Sequence, residues 1–146
     1  MATRAEYSIV INQPFHKVYA YISDARNNPK WQVGLMDSKI TPEEPPHVGT
    51  KVTDAHNFAG KRIEVTYEIT ELEPTRKIAV KSISGPVLFK GITMFEPVGD
   101  GTRVIATFEM EATGFLKLAG GLIINNLKKD FESSLNKLKE ILDSQA

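Results

Sequence analysis

The sequence predicts an α+β domain in which a curved seven-stranded antiparallel sheet wraps around one long C-terminal helix. Three observations lead to this prediction. Seven segments alternate apolar and polar residues, or are rich in β-branched and aromatic residues, as strands are. Turn-forming residues separate most of these segments at short intervals, which favours consecutive hairpins. The end of the chain changes to a helical period, and only that helix is long enough to cover the apolar face of such a sheet.

The first strand and two short helices are predicted within residues 6–31. Residues 6–12 are rich in β-branched and aromatic side chains, which favours a strand. Pro14 suits the first turn of a helix, where its missing N–H leaves no bond unmade. A second short helix is predicted over residues 25–31, interrupted near Pro29. The apolar face of the first helix recurs at steps of three and four residues, at Phe15, Val18, Tyr19 and Ile22.

Six further strands are predicted before the last helix. The clearest one covers residues 63–70, where apolar and polar side chains alternate strictly, as in a sheet with one buried and one solvated face. Gly99, Asp100 and Gly101 give a strong turn signal before the final strand. The predicted ranges are 38–43, 51–59, 63–70, 78–82, 86–96 and 104–110.

The final helix is predicted to begin at about Leu122. Gly120 and Gly121 should weaken or bend any helix that continues upstream to Phe115, because glycine is a poor helix former. The apolar stripe of the helix consists of Ile123, Leu127, Phe131, Leu135, Leu138 and Leu142.

The composition argues against several classes of protein. The 146 residues fit one domain, residues 1–146, with 41% hydrophobic and 25% charged residues, as is ordinary for a globular protein. Eighteen Lys plus Arg balance eighteen Asp plus Glu, so a nucleic-acid partner is not expected. The absence of cysteine excludes disulfides and thiolate ligands. The scattered histidines predict no metal, and the lack of a phosphate-binding loop predicts no cofactor.

The expected location is the cytoplasm. No apolar run approaches the roughly 20 residues of a membrane span, so stable membrane insertion is not expected. Residues 1–12 lack the basic head and long apolar run of a signal peptide. The expected assembly is a monomer or a homodimer, between which the sequence does not decide.

A resemblance to a known superfamily rests on the order and spacing of four local motifs. Ile11-Asn12-Gln13-Pro14 precedes the first helix, and Pro29-Lys30-Trp31 ends the second. Phe95-Glu96-Pro97 and Gly101-Thr102-Arg103-Val104 lie on either side of the last predicted turn. With this order of elements over nearly the whole chain, the sequence resembles the START-like polyketide cyclase/dehydrase superfamily, the SRPBCC or birch-pollen-allergen-like helix-grip proteins.

The resemblance implies a cavity between the sheet and the C-terminal helix that holds a small apolar molecule, such as a lipid, a polyketide or another aromatic-like compound. The first hypothesis is therefore a binding protein or carrier. Such cavities are lined mostly by apolar side chains, and for each candidate the alternative is ordinary core packing. The candidate ligand contacts are Trp31, Phe58, Val65, Tyr67, Val80, Phe89, Phe95, Phe108, Met110, Ile123, Leu127 and Phe131.

Asp54 and His56 underlie a second hypothesis, a cofactor-independent polyketide cyclase or dehydratase, an activity that the resemblance implies for some branches. Both residues share a strand face with Val52 and Phe58. If that face is inward, an imidazole suited to proton transfer near neutral pH lies in the cavity with a carboxylate. His56 would then remove a proton next to a carbonyl group, with Asp54 orienting or charging it. Ala55 marks the opposite phase equally well, and in that phase both polar side chains are solvated.

A third hypothesis is a protein-interaction module of toxin or respiratory-chain type that uses the outer face of the sheet. It predicts exposed apolar residues in the strand phase opposite to the cavity. The candidates are Ile83, Ile92 and Ile105.

Overall fold

The computed structural model describes residues 3–41, 45–58, 61–85, 87–112 and 115–145. In these ranges the strands and helices follow the order that the sequence predicts. The strands are β1 Thr3–Ile11, β2 Leu35–Thr41, β3 Lys51–Phe58, β4 Lys61–Glu73, β5 Lys77–Ser84, β6 Val87–Val98 and β7 Gly101–Ala112. The helices are α1 Phe15–Ser23, α2 Asn28–Trp31 and α3 Phe115–Asp143, with a 3-10 turn, Ala25–Asn27, between the first two.

The seven strands form one antiparallel sheet in the order β1-β7-β6-β5-β4-β3-β2. Strands β2 to β7 pair with their neighbours along the chain, and β1 pairs with β7. The register shifts between Leu35 and Asp37 of β2 and between Ile69 and Glu71 of β4, and such bulges bend a strand. The long helix α3 contacts β1, β7 and α2. The predicted helix-grip fold is thereby confirmed.

Helix α3 differs from the prediction at its start. It begins at Phe115, well before the predicted start near Leu122, and the backbone stays helical through Gly120 and Gly121. Each glycine costs about 1 kcal/mol relative to alanine. That cost is small for a helix of 29 residues whose C-terminal half packs into the core.

The core lies where the C-terminal half of α3 packs on β1, β7 and α1. Ile11, Val18, Val104, Leu138 and Leu142 are each at most 2% exposed. We call the region that these five residues define the closed end of the molecule. Its packing leaves no room for a ligand between these side chains, which contribute to folding by removing apolar surface from water.

Hydrogen bonds join α3 and β7 to the turn between β1 and α1 at the closed end. Gln13 Nε2 donates to the carbonyl oxygen of Leu142 over 2.9 Å, and Thr102 Oγ1 donates to the carbonyl oxygen of Gln13 over 2.7 Å. The backbone N–H of Asn12 donates to Asp143 Oδ1 over 2.8 Å. Because Gln13 and Thr102 are buried, these bonds satisfy polar atoms that water does not reach.

Candidate ligand cavity

A cavity of about 320 Å³ lies between the sheet, α2 and α3. Its volume is within the range of small-molecule sites, about 300 to 1,000 Å³. We call the region around it the hollow end. Its described lining residues include Ile22, Ala25, Asn28, Trp31, Val52, Asp54, His56, Ile63, Val65, Tyr67, Ile69, Leu72, Ile78, Val80, Phe89, Gly91, Thr93, Ala106, Phe108, Met110, Asp130, Phe131 and Ser134.

Strand β3 faces the cavity in the phase that includes Asp54 and His56. Both residues line the cavity. Thr53, in the opposite phase, meets Thr66 of β4, with 2.9 Å between their hydroxyl oxygens. The sequence left this phase open because Ala55 fits a buried position as well as Asp54 does, and both are in fact buried.

Most of the predicted ligand contacts lie on the cavity wall, but Phe95 does not. It is buried in the core near the closed end, and its ring centroid lies 5.5 Å from that of Tyr19 on α1. The side chains of Phe58, Ile123 and Leu127 lie outside the described residues. Ligand contact stays a prediction for all twelve candidate residues. The candidates that line the cavity are Trp31, Val65, Tyr67, Val80, Phe89, Phe108, Met110 and Phe131.

Five aromatic rings form a continuous line from β4 to β1, which we call the aromatic row. The centroid distances along it are 5.9 Å from Tyr67 to Phe89, 5.6 Å from Phe89 to Phe108, 5.6 Å from Phe108 to Phe131 and 5.4 Å from Phe131 to Tyr7. These separations are typical of favourable ring pairs. All of the row except Tyr7 lines the cavity, so one wall presents a continuous aromatic surface.

Asp54 is the most deeply buried ionisable residue of the cavity wall, with only 4% of its surface exposed. Ser38 Oγ of the neighbouring strand β2 donates to Asp54 Oδ1 over 2.5 Å. Burial raises the pKa of the Asp54 carboxyl from 3.8 to about 6; the Ser38 bond opposes this shift and the charge of Asp37 adds to it. Asp54 is therefore a carboxyl group that changes charge just below neutral pH.

His56 lies two residues further along the same face of β3. Its Nε2 atom is 4.0 Å from Asp54 Oδ2, which is too long for a hydrogen bond. Burial lowers the pKa of the His56 imidazole below its usual value of 6.5. The ring is therefore neutral at pH 7, and one of its nitrogens can accept a proton.

Tyr67 and Asn28 complete a polar cluster with Asp54 and His56. Asn28 Nδ2 donates to the Tyr67 hydroxyl oxygen over 3.2 Å. Burial raises the pKa of Tyr67 well above 10, the charge of Asp54 raises it further, and the Asn28 bond opposes both. The phenol therefore keeps its proton. Asn28 was not among the residues predicted for the site; its position three residues before Trp31 puts both on one face of the helix, which indicates that Asn28 is near the cavity but not that it contacts Tyr67.

A second polar group lies where α2 and α3 meet. The backbone N–H of Val33 donates to Ser134 Oγ over 2.8 Å, and that hydroxyl donates to the Asp130 carbonyl oxygen over 2.6 Å. Burial raises the pKa of the Asp130 carboxyl, which lines the cavity. Trp31 Nε1 is buried and has no hydrogen-bond partner among the described residues. The sequence pattern alone favoured a solvated Asp130.

The outer face of the sheet also carries apolar side chains. Ile83 is 48% exposed and Ile92 is 39% exposed, while Ile105 is only partly exposed. Charged residues lie between them on the same face, since Lys81 precedes Ile83 by two residues and Lys90 precedes Ile92 by two residues. These exposures are compatible with the interaction hypothesis but do not show a partner.

Neither a metal cluster nor a membrane helix is present in the part of the chain that the structure describes. No three His, Asp or Glu side chains there are grouped so that they could hold a metal ion. No helix in those ranges is long and apolar enough to cross a bilayer. The side chains of the polar cluster themselves can supply hydrogen bonds, charge and proton transfer.

Comparisons with known proteins agree with this architecture. A family model described as polyketide cyclase/dehydrase and lipid transport matches residues 2–143, whereas no curated protein matches the sequence. TTHA0849 from Thermus thermophilus is 22% identical, with 99% of each chain covered and a TM-score of 0.84. The Zhui aromatase/cyclase from Streptomyces sp. R1128 is 16% identical, with 98% of this chain and 94% of that chain covered and a TM-score of 0.82.

The chain is also similar to about half of a two-domain protein. The di-domain ARO/CYC protein StfQ from the steffimycin biosynthetic pathway is 15% identical, with 99% of this chain and 52% of that chain covered and a TM-score of 0.76. At these identities the structural similarity shows the fold alone. The family match is the stronger finding, and it confirms the resemblance that the sequence motifs indicate.

Proposed function

Since the chain belongs to the polyketide cyclase/dehydrase and lipid transport family, we propose that it binds a small apolar molecule in the cavity between the sheet and α3. The observation that carries the proposal is the aromatic row beside the polar cluster. An apolar frame lies along Phe89, Phe108 and Phe131, and a polar substituent of the same molecule reaches Asp54 and Tyr67. Burial of the frame drives binding at about 25 cal/mol for each Å² of apolar surface removed from water.

The polar cluster gives the ligand its orientation. Tyr67 keeps its proton, and its hydroxyl hydrogen has no acceptor among the described residues. The Oδ2 atom of Asp54 likewise receives no hydrogen bond from them, because Ser38 donates to Oδ1. A ligand that bonds to these atoms replaces the water that would otherwise satisfy them. The cluster therefore distinguishes the two ends of an elongated ligand.

A cavity-filling substitution tests this proposal. Thr93→Phe places a ring in the cavity, and Met94→Phe places the same ring on the outer face of the same strand as a matched control. The neutral fluorophore N-phenyl-1-naphthylamine should bind the wild-type protein and the Met94→Phe variant with dissociation constants that agree within about three-fold, whereas Thr93→Phe should weaken binding at least about ten-fold. Fluorescence titration measures all three constants. Equal binding by the two variants would place the fluorophore outside the cavity and overturn the proposal.

A cofactor-independent cyclase is a second candidate, favoured by the neutral imidazole of His56 on the wall of an apolar cavity. In this reaction the imidazole takes a proton from a carbon next to a carbonyl group, such as the terminal methyl carbon of a triketone. The electron pair of that C–H bond becomes an enolate, which forms a carbon–carbon bond to a further carbonyl carbon of the same molecule. The imidazolium returns its proton to the alkoxide oxygen, and loss of that hydroxyl group as water with enolisation of the two remaining carbonyl groups gives the aromatic ring. Asp54 stabilises the imidazolium while it carries the proton.

Turnover of a small triketone tests the second candidate. The protein should accelerate the conversion of 2,4,6-heptanetrione into orcinol, measured by liquid chromatography. His56→Gln should lower the rate about 100-fold or more, because it removes the base. His16→Gln is the matched control, since His16 is exposed on α1. If the wild-type protein and His56→Gln give the same rate while both bind N-phenyl-1-naphthylamine, the protein is a carrier and the cyclase proposal fails.

Three further expectations from the sequence remain proposals. The balanced charge of the chain supports the absence of a nucleic-acid partner. A cytoplasmic location and a monomeric or homodimeric state follow from the sequence patterns alone. Cell fractionation and sedimentation analysis test the last two.

A further inference from the structure

The charges on the described cavity wall all have one sign. Asp54 and Asp130 line the cavity, and no Lys or Arg is present among the lining residues that the structure describes. His56 does not supply a positive charge at neutral pH, because burial lowers its pKa. The described wall therefore presents carboxylates and aromatic rings to the cavity without a cation.

The lack of a cation on the described wall leaves Asp54 without a partner of opposite charge. Only 4% of its surface is exposed, and Ser38 donates to one of its two oxygens. The other oxygen, Oδ2, lies 4.0 Å from the nearest nitrogen of the neutral His56 ring and accepts no hydrogen bond from a described residue. Buried carboxylates in proteins are normally paired with a cation, because an unpaired buried charge is costly. The described protein does not supply that partner for Asp54.

We propose that the ligand supplies the cationic partner of Asp54. The cavity selects an apolar amine whose ammonium group binds Asp54 Oδ2, and it rejects carboxylates and phosphate esters of the same size. This inference rests on the proposed binding function and names the chemical class of the ligand. The polar cluster becomes the site of the ammonium group, and the aromatic row becomes the site of its apolar frame.

The surroundings of Asp54 fit an ammonium group. Tyr67 is the diagonal neighbour of Asp54 on the cavity wall, because Asp54 of β3 pairs with Val65 of β4 and Val52 pairs with Tyr67. An ammonium group next to Asp54 therefore also lies close to an electron-rich ring, which attracts cations. Asp54, with a pKa of about 6, is mostly ionised above neutral pH, while an alkyl ammonium group stays charged up to a pH of about 9 or 10. Both partners are then charged over the same range.

An anionic ligand meets the opposite situation. Its charged group would lie beside Asp54 at one end of the cavity or beside Asp130 at the α3 side. Like charges brought together at the wall of the cavity repel each other and weaken binding. The wall thus discriminates by repulsion as well as by attraction.

A series of ligands that share one frame tests the inference. The ligands 1-naphthylmethylamine, 1-naphthalenemethanol and 1-naphthoate differ mainly in the charge of one substituent. Isothermal titration calorimetry at a pH of about 8 should find the amine about ten-fold or more tighter than the alcohol, and the carboxylate about ten-fold or more weaker than the alcohol.

Asp54→Asn then shows whether the carboxylate causes the preference. Asparagine keeps the size of the side chain and an acceptor for Ser38. In the variant the dissociation constants of the amine and the alcohol should agree within about three-fold, so that most of the preference for the amine is lost. Asp100→Asn, at the exposed turn between β6 and β7, is the matched control and should keep the wild-type order of affinities.

The outcomes separate the two proposals. If the alcohol binds in the cavity but the amine binds no tighter, or if Asp54→Asn keeps the preference, the charge inference is overturned and the proposed function stands. Tight binding of 1-naphthoate overturns the inference as well. If none of the three ligands binds, the proposed function fails and the inference fails with it.

Discussion

At the closed end of the molecule buried polar atoms are bonded, whereas at the hollow end a buried donor has no partner among the described residues and a buried carboxyl group is bonded at only one oxygen. Gln13 donates a hydrogen bond that joins the β1–α1 turn to α3, and Thr102 donates one that joins β7 to the same turn. At the hollow end, Trp31 Nε1 has no partner among the described residues, and Asp54 has a bond to only one oxygen. The two ends share one sheet and one long helix, so local packing makes the difference.

The comparison suggests a division of roles. The closed end holds α3 on the sheet through fully buried side chains such as Leu138. Because the helix is fixed there, its middle can span a cavity without collapsing onto the sheet. The hollow end retains Trp31 Nε1 and the Asp54 carboxyl group, which lower the stability of the fold but can bind a ligand. Functional sites commonly reduce stability in this way.

The largest expected effect is the difference in stability lost when a leucine is replaced by alanine at each end of the molecule. Leu138→Ala should lower the free energy of unfolding by about 3 to 5 kcal/mol, because it creates a void in close-packed surroundings. Leu72 lines the cavity and is only partly buried, so Leu72→Ala should cost only about 1 to 2 kcal/mol. Urea denaturation measures both values. Equal losses would show that the hollow end is as tightly packed as the closed end.

A stabilising effect is expected at Asp54. Its pKa is about 6 in the folded protein, against 3.8 for the unperturbed group, so the folded state holds the proton more tightly and loses stability as the pH rises through this range. Asp54→Asn does not ionise and should therefore be more stable than the wild-type protein by about 1 to 3 kcal/mol near pH 8, with most of this difference lost as the pH falls towards 3.8.

Unfolding of both proteins at several pH values measures this difference. Asp100→Asn should show no comparable trend, since Asp100 is exposed. A variant that is less stable than the wild-type protein at pH 8 would mean that Asp54 already has a cationic partner in the folded protein.

The smallest expected effect concerns two threonines. Thr102→Val removes the donor to the Gln13 carbonyl and should cost about 1 to 2 kcal/mol, because a buried acceptor is left unsatisfied. Thr93 lines the cavity, and its hydroxyl has no hydrogen-bond partner among the described residues. Thr93→Val should therefore change the free energy of unfolding by no more than about 0.5 kcal/mol. Thermal and urea unfolding test the pair, and a larger cost at Thr93 would contradict the assignment of unsatisfied groups to the hollow end.

The sequence was a good guide to the elements because their patterns are local. Alternation in β4 and the turn at Gly99 to Gly101 predict hairpins without any knowledge of distant residues. The start of α3 was the clearest error. Helix propensity predicts a break at Gly120 and Gly121, but packing further along α3 outweighs that preference.

The candidate site was harder to predict because its geometry depends on residues distant in sequence. The phase of β3 became clear only from the cavity between sheet and helix, to which Asp54 is turned. Asn28 reaches Tyr67 across 39 positions, a contact that no local pattern indicates. Phe95 has the same apolar character as Phe89 on the same strand, yet only Phe89 lines the cavity, because α1 covers the other end of β6.

The most direct test of the central claim is to locate a bound ligand. Nuclear Overhauser effects between 1-naphthalenemethanol and assigned protein protons show which side chains it contacts. Binding in the hollow end predicts contacts from the naphthalene protons to the rings of Phe89, Phe108 and Phe131, with the hydroxymethyl group near Tyr67. Contacts to the outer-face residues Ile83 and Met94 in place of these rings would contradict the claim and favour an interaction surface.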